Sequence, residues 1–140
     1  MKRITPIILA FLVGIVNIYA QTNEGLLEKG LKLKTAYKNK EALVIFQKLL
    51  KSDSSKVAYL HNGSYLYSKV GNTLEVESQR MKYYKIAEYL AKKAIKADNN
   101  SAGAHYAYAM ALGRINENAS SKEKIANAKI IKAEAERAIK

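Results

Sequence analysis

Few of the 140 residues have types suited to chemistry. There is no cysteine, which removes thiolate nucleophiles, sulfur-ligated metal and disulfides together. The two histidines are His61 and His105. Sliding the sequence over itself by 44 residues pairs them. Each is then expected in the first helix of its own repeat, about 10 Å from the other, the spacing of packed helices, which is too far to share a metal ion. No His-Glu-x-x-His, serine elbow or glycine-rich phosphate loop is present. Glu75 and Glu77 read as solvated carboxylates on a loop. No catalytic residue, metal or cofactor is therefore expected, and the chain reads as a non-enzyme.

The side chains suited to binding are aromatic and basic. Among ten tyrosines, Tyr59, Tyr65 and Tyr67 fall in one helical stretch, Tyr83, Tyr84 and Tyr89 in the next, and Tyr106 and Tyr108 in a third. Tyrosine buries a large ring and keeps a polar tip, so it serves both core packing and recognition. The formal charge is +12. Setting aside Lys2 and Arg3, 22 basic residues remain against 12 acidic, or +10. That balance favours acidic partners: acidic proteins or anionic surfaces.

The elements that must position these residues are helices. The one proline, Pro6, lies in the leader, and alanine, leucine, lysine and glutamate dominate the second half, which favours long helices over a turn-rich sheet. Leu26, Leu27, Gly30, Leu31 and Leu33 recur at helical spacing, as do Ala42, Leu43, Ile45, Phe46, Leu49 and Leu50. Segment 37–40 separates these runs, and 52–55 ends the second. Further helices are expected over 56–70, 80–97, 102–115 and from Ser121 to the end, with Gly71-Asn72, 98–101 and 116–120 as breaks. The reading is six helices in three hairpins. The 44-residue shift also pairs Ala58 with Ala102, Asn72 with Asn116, Ile86 with Ile130, Ala91 with Ala135 and Ala94 with Ala138, which marks an internal duplication.

Gly30, Ala42, Phe46 and Leu49, closed by Asp53-Ser54, resemble the small and apolar positions of a tetratricopeptide repeat, without its usual terminal proline. The second and third repeats exceed its length by about ten residues, placed at 73–82 and 116–125. That longer form, carried by HYAYAMALGR and SSKEKI...AKIIK, resembles the regulator of microtubule dynamics family and its bacterial relatives over most of 26–140. The resemblance implies an all-α, tetratricopeptide-type solenoid of helical hairpins. About three hairpins are expected, the last two with longer inter-helix loops. The microtubule role of the animal members does not carry over to an exported bacterial chain. Related chains run on past AERAIK into a further helix, so the natural chain is expected to continue beyond Lys140; otherwise Ile130, Ile131 and Ile139 are left half covered, or covered by a partner.

In such solenoids the first helices line a groove. Taken over, that geometry gives Leu27, Leu31 and Lys34 from the first hairpin, His61, Tyr65 and Lys69 from the second, and Tyr106, Met110 and Arg114 from the third, the last set at a spacing of 45 and not 44, which leaves the register of the third repeat open. Lys34, Lys69 and Arg114 would form a basic ladder for a partner's carboxylates.

Segment 1–20, MKRITPIILAFLVGIVNIYA, has a basic start, a short apolar run and a small final residue, the plan of a signal peptide. The run is shorter than the roughly 20 residues a bilayer span needs, so no transmembrane anchor is expected after cleavage. Its ending YAQT resembles signal sequences common in Bacteroidetes. Residues 21–140 then form the repeat domain, in the periplasm or outside the cell, where nucleic acid is not an expected partner. The sequence thus points to an exported scaffold or adaptor that binds a protein or peptide, with an anionic polymer or membrane surface as the alternative.

Overall fold

The structure, a computed structural model, describes residues 22–140; the expected signal peptide lies outside the described residues. Six helices follow in order: α1 (Asn23–Thr35), α2 (Asn39–Ser52), α3 (Val57–Gly71), α4 (Glu77–Ala97), α5 (Ala102–Asn116) and α6 (Ser121–Ala138). There is no strand among the described residues, and no described helix is long and apolar enough to cross a membrane.

Local chemistry sets the ends. Thr22 Oγ1 accepts from the Gly25 N–H and Ser101 Oγ from the Ala104 N–H, each relieving one of the unpaired donors of a first turn. Ser120 caps α6, in a reciprocal capping box with Glu123. Helices α2 and α4 stop at Asp53 and Asp98, both extended at φ near −150°. The carboxylate of each accepts the N–H two residues on, Ser55 or Asn100, at 2.9 Å. These Asp turns end the helices without the proline of the commoner motif. Tyr37 closes the α1–α2 turn at φ 58°, where its N–H and that of Lys38 satisfy the Lys34 and Leu33 carbonyls.

Each helix packs on the next, and α3 also packs on α5. The result is an all-helical stack of three hairpins, α1/α2, α3/α4 and α5/α6. The small residue expected at the first crossing is required there. A Cβ on Gly30 would stand 2.8 Å from the ring of Phe46 and 3.1 Å from Ile45 Cγ2, and Phe46 is fully buried, so neither can yield cheaply. Ala42, Phe46 and Leu49 share one core with Tyr59, Leu66 and Val70 across the hairpin boundary. Leu60, Leu90, Ala94 and Ala104 continue it into the third hairpin.

The longer second repeat is mostly longer helix. Against the first hairpin, α3 has 15 residues to 13 in α1, and α4 has 21 to 14 in α2. The connection 72–76 has five residues where 36–38 has three. Helix α4 accordingly begins at Glu77, ahead of the Arg80 expected, where Arg80 Nη1 donates to the Leu74 and Glu75 carbonyls and ties the loop to the helix.

The repeat register, which the sequence leaves open between 44 and 45, is different in the two helices of the hairpin. Helix α5 starts 45 residues after α3 (Val57 to Ala102), whereas α6 starts 44 after α4 (Glu77 to Ser121). The connection 117–120 is one residue shorter than 72–76. In the 45-residue register Tyr59, Leu60, Asn62, Leu66 and Val70 fall on Ala104, His105, Ala107, Ala111 and Ile115, all buried. His61 therefore corresponds to Tyr106 and not to His105. The 44-residue pairing holds in the second helices and is coincidence in the first.

Candidate functional site

The first helices bring most of the expected groove residues onto one face. Tyr65 on α3 and Tyr106 on α5 stack with ring centroids 6.3 Å apart, within the range of favourable aromatic pairs. Lys34 Nζ from α1 lies 4.6 Å from the Tyr65 centroid, and Lys69 Nζ lies 5.5 Å from it. Both distances fit a cation–π contact. Lys34 also donates to Asn62 Oδ1 at 2.6 Å. The Asn62 amide is oriented for this by its own NH₂, which donates to the Ala58 carbonyl one turn back.

His61 sits beside this cluster, half-buried, its ring seated on α5. A Cβ at Gly103 would be 2.9 Å from His61 Cε1 and Nδ1, so the close approach depends on glycine there. Burial first, and then the neighbouring Lys34 charge, hold the His61 pKa below its ordinary value. Burial also lowers the Lys34 pKa. Loss of water disfavours both cations, and no described carboxylate forms an ion pair with Lys34 or Lys69. The Tyr65 pKa is raised, by burial and then by Tyr37.

The remaining expected residues divide. Leu31 and Tyr106 are exposed, at 38% and 50%, while Leu27 is half-buried against the first core. Met110 is half-buried on α5, in the register of Tyr65 and Leu31. Arg114 is half-buried and bonded to Glu117 at 2.8 Å, so its charge is compensated. The basic ladder is thus uneven. Counting from the helix starts, Lys69 and Arg114 share a register with Thr35, and Lys34 stands one place earlier with Ser68 and Gly113. Lys34 joins Lys69 because its long side chain reaches across to Tyr65.

Asn62 and Gly103 were not expected at this face. Asn62 carries a signal in retrospect, as a polar residue in a helix of buried apolar neighbours. Gly103 reads only as the second residue of a helix. His105, paired with His61 by the sequence shift, points elsewhere. Its ring is 2% exposed and bridges Glu134 Oε2 of α6 at 2.5 Å and the Asn99 carbonyl at 2.8 Å.

A family model described as regulator of microtubule dynamics protein 1-3 matches residues 26–140, the stretch that holds all three hairpins. The chain belongs to this family. No curated protein matches it. The family assignment fits the long second and third hairpins, the feature that separates this stack from one of uniformly short repeats.

Proposed function

We propose that the chain is a non-catalytic scaffold of tetratricopeptide type that binds an acidic segment of a protein partner across α1, α3 and α5. One observation carries the reading: Lys34 and Lys69 converge on Tyr65 without a described carboxylate beside them. A half-buried ammonium that has lost water regains most when a carboxylate arrives. The stacked Tyr65–Tyr106 pair and exposed Leu31 supply flat, rigid apolar area for the same segment. Export to the periplasm or beyond is part of the proposal and rests on the pattern of segment 1–20, whose ending is like those of Bacteroidetes signal sequences.

The test is retention of proteins from an extract of the source cells by the immobilised chain from Gln21, at low and at high salt. One or two proteins that survive high salt are expected, lost with Tyr65→Ala/Tyr106→Ala and weakened at least about tenfold, or 1.4 kcal/mol, by Lys34→Glu/Lys69→Glu. The formal charge of +12 favours a second reading, attraction to an anionic polymer or membrane surface. A mixture that washes off with salt and ignores both variants would establish that reading, since screened attraction fades with ionic strength.

A further inference from the structure

We propose that a second site, away from the first-helix face, takes a small organic acid: a compact apolar or aromatic body with one carboxylate. The C-terminal half of α4 and the entry to α3 form an open cleft of about 620 Å³, within the size range of small-molecule sites. Its floor is Leu60, fully buried, beside Ala97, and Tyr89 stands at its edge 63% exposed. Three lysines on one stripe of α4, Lys92, Lys93 and Lys96, line it, and no acidic residue does.

The charges differ in what they already hold. Lys92 is bonded to Glu88 at 2.7 Å and leans on Tyr108. Lys93 has only the Ser54 hydroxyl, at 3.1 Å. Asp53 lies close enough for the Lys93 charge to help lower its pKa, but forms no described ion pair with Lys93 and spends one carboxylate oxygen on the Ser55 N–H and hydroxyl. Lys96 forms no described ion pair. The negative end of the α4 dipole accounts for one cation in its last turn, but not for an apolar floor flanked by three. Two ammonium groups one turn apart, neither in a described ion pair, stand by Leu60 and an exposed phenol and match a carboxylate attached to an apolar body.

The third hairpin holds an internal contrast. The corresponding cleft, about 470 Å³, is lined by Asn100, His105, Arg137 and Lys140. These are the register counterparts of Ser55, Leu60, Lys93 and Lys96. There His105 replaces the apolar floor, Glu134 lies against it, and Glu136 stands where Lys92 does. The basic pair recurs without the apolar floor and with acids beside it, so the selectivity is assigned to the second hairpin.

The test is a titration of the chain followed by amide NMR, with octanoate as ligand and octanol and inorganic phosphate as controls. Saturable shifts are expected at Tyr89, Lys93 and Lys96. Lys93→Gln/Lys96→Gln should weaken octanoate at least tenfold, and Arg137→Gln/Lys140→Gln should leave it unchanged. Octanol and phosphate should each bind at least tenfold more weakly. Lys96, Arg137 and Lys140 are exposed and Lys93 is half-buried, and retention of the fold is checked by the same spectra. Equal binding of phosphate, equal shifts around Lys140, indifference to the Lys93 and Lys96 changes, or no saturable shift at millimolar octanoate would overturn the proposal. None of these outcomes touches the Tyr65 face.

Discussion

His61 shows how a residue chosen for chemistry is bound to its setting. Its seat on Gly103 and its neighbour Lys34 both favour the neutral ring. The unfolded chain holds a histidine that protonates near pH 6.5, while the folded chain holds one that protonates lower, so the unfolded state binds more protons as pH falls. Stability attributable to His61 is therefore full above about pH 6.5 and is lost as pH drops from there through the lowered folded value. The thermal midpoint should fall between about pH 7 and about pH 5, and His61→Gln should flatten that part of the profile. An unchanged profile would mean that the ring is not desolvated at this face. A bound carboxylate would offset the Lys34 charge, so the acidic partner should reduce the same pH dependence. The histidine itself was visible in the sequence. Its low-pH liability was not, because it depends on a glycine and a lysine brought from α5 and α1.

At the scale of elements, the six helices were legible because their apolar spacing, capping serines and Asp breakers agree. The register of α5 was not. Identities at a shift of 44, including His61 with His105, stood against groove positions spaced by 45, while one fewer residue in the 117–120 connection makes it 45 in the first helices and 44 in the second. The corrected register exposes an exchange. Leu60 and Leu90, which share an apolar cluster in the second hairpin, correspond to His105 and Glu134, a bonded pair in the third. Removing one partner leaves the other short of a hydrogen bond, so His105→Leu or Glu134→Leu alone should cost about 1–3 kcal/mol. The double change to leucine rebuilds the second-hairpin arrangement and should come within about 1 kcal/mol of the parent, or exceed it, as replacing both partners of a hydrogen bond by apolar groups is often nearly neutral. Chemical denaturation of the four members of the cycle measures this coupling. Additive losses would show that the two side chains do not act as a pair.

Across the whole molecule, stability should grade along the stack. Nearest-neighbour packing governs such arrays, and the neighbours are unequal. Helix α3 packs against α2, α4 and α5 and buries nine residues, from Tyr59 to Gly71. Helix α6 packs mainly on α5 and has no fully buried residue. Ala91, fully buried in α4, has an exposed counterpart in Ala135, and Ile125, Ile130 and Ile139 are exposed as well. What anchors α6 is its capping box, the His105–Glu134 bridge and the half-buried side of Ile131 and Ala138. Segments with few buried apolar contacts open locally below the global unfolding free energy. Native-state hydrogen exchange should therefore find α6 amides opening several kcal/mol below those of α3, with α5 between them. Glu134→Leu should widen the gap by loosening α6 while leaving α3 protection set by global unfolding. Equal protection of α3 and α6 would mean that the three hairpins unfold as one unit, and the bare outer face of α6 would then carry little energetic consequence for the rest of the stack.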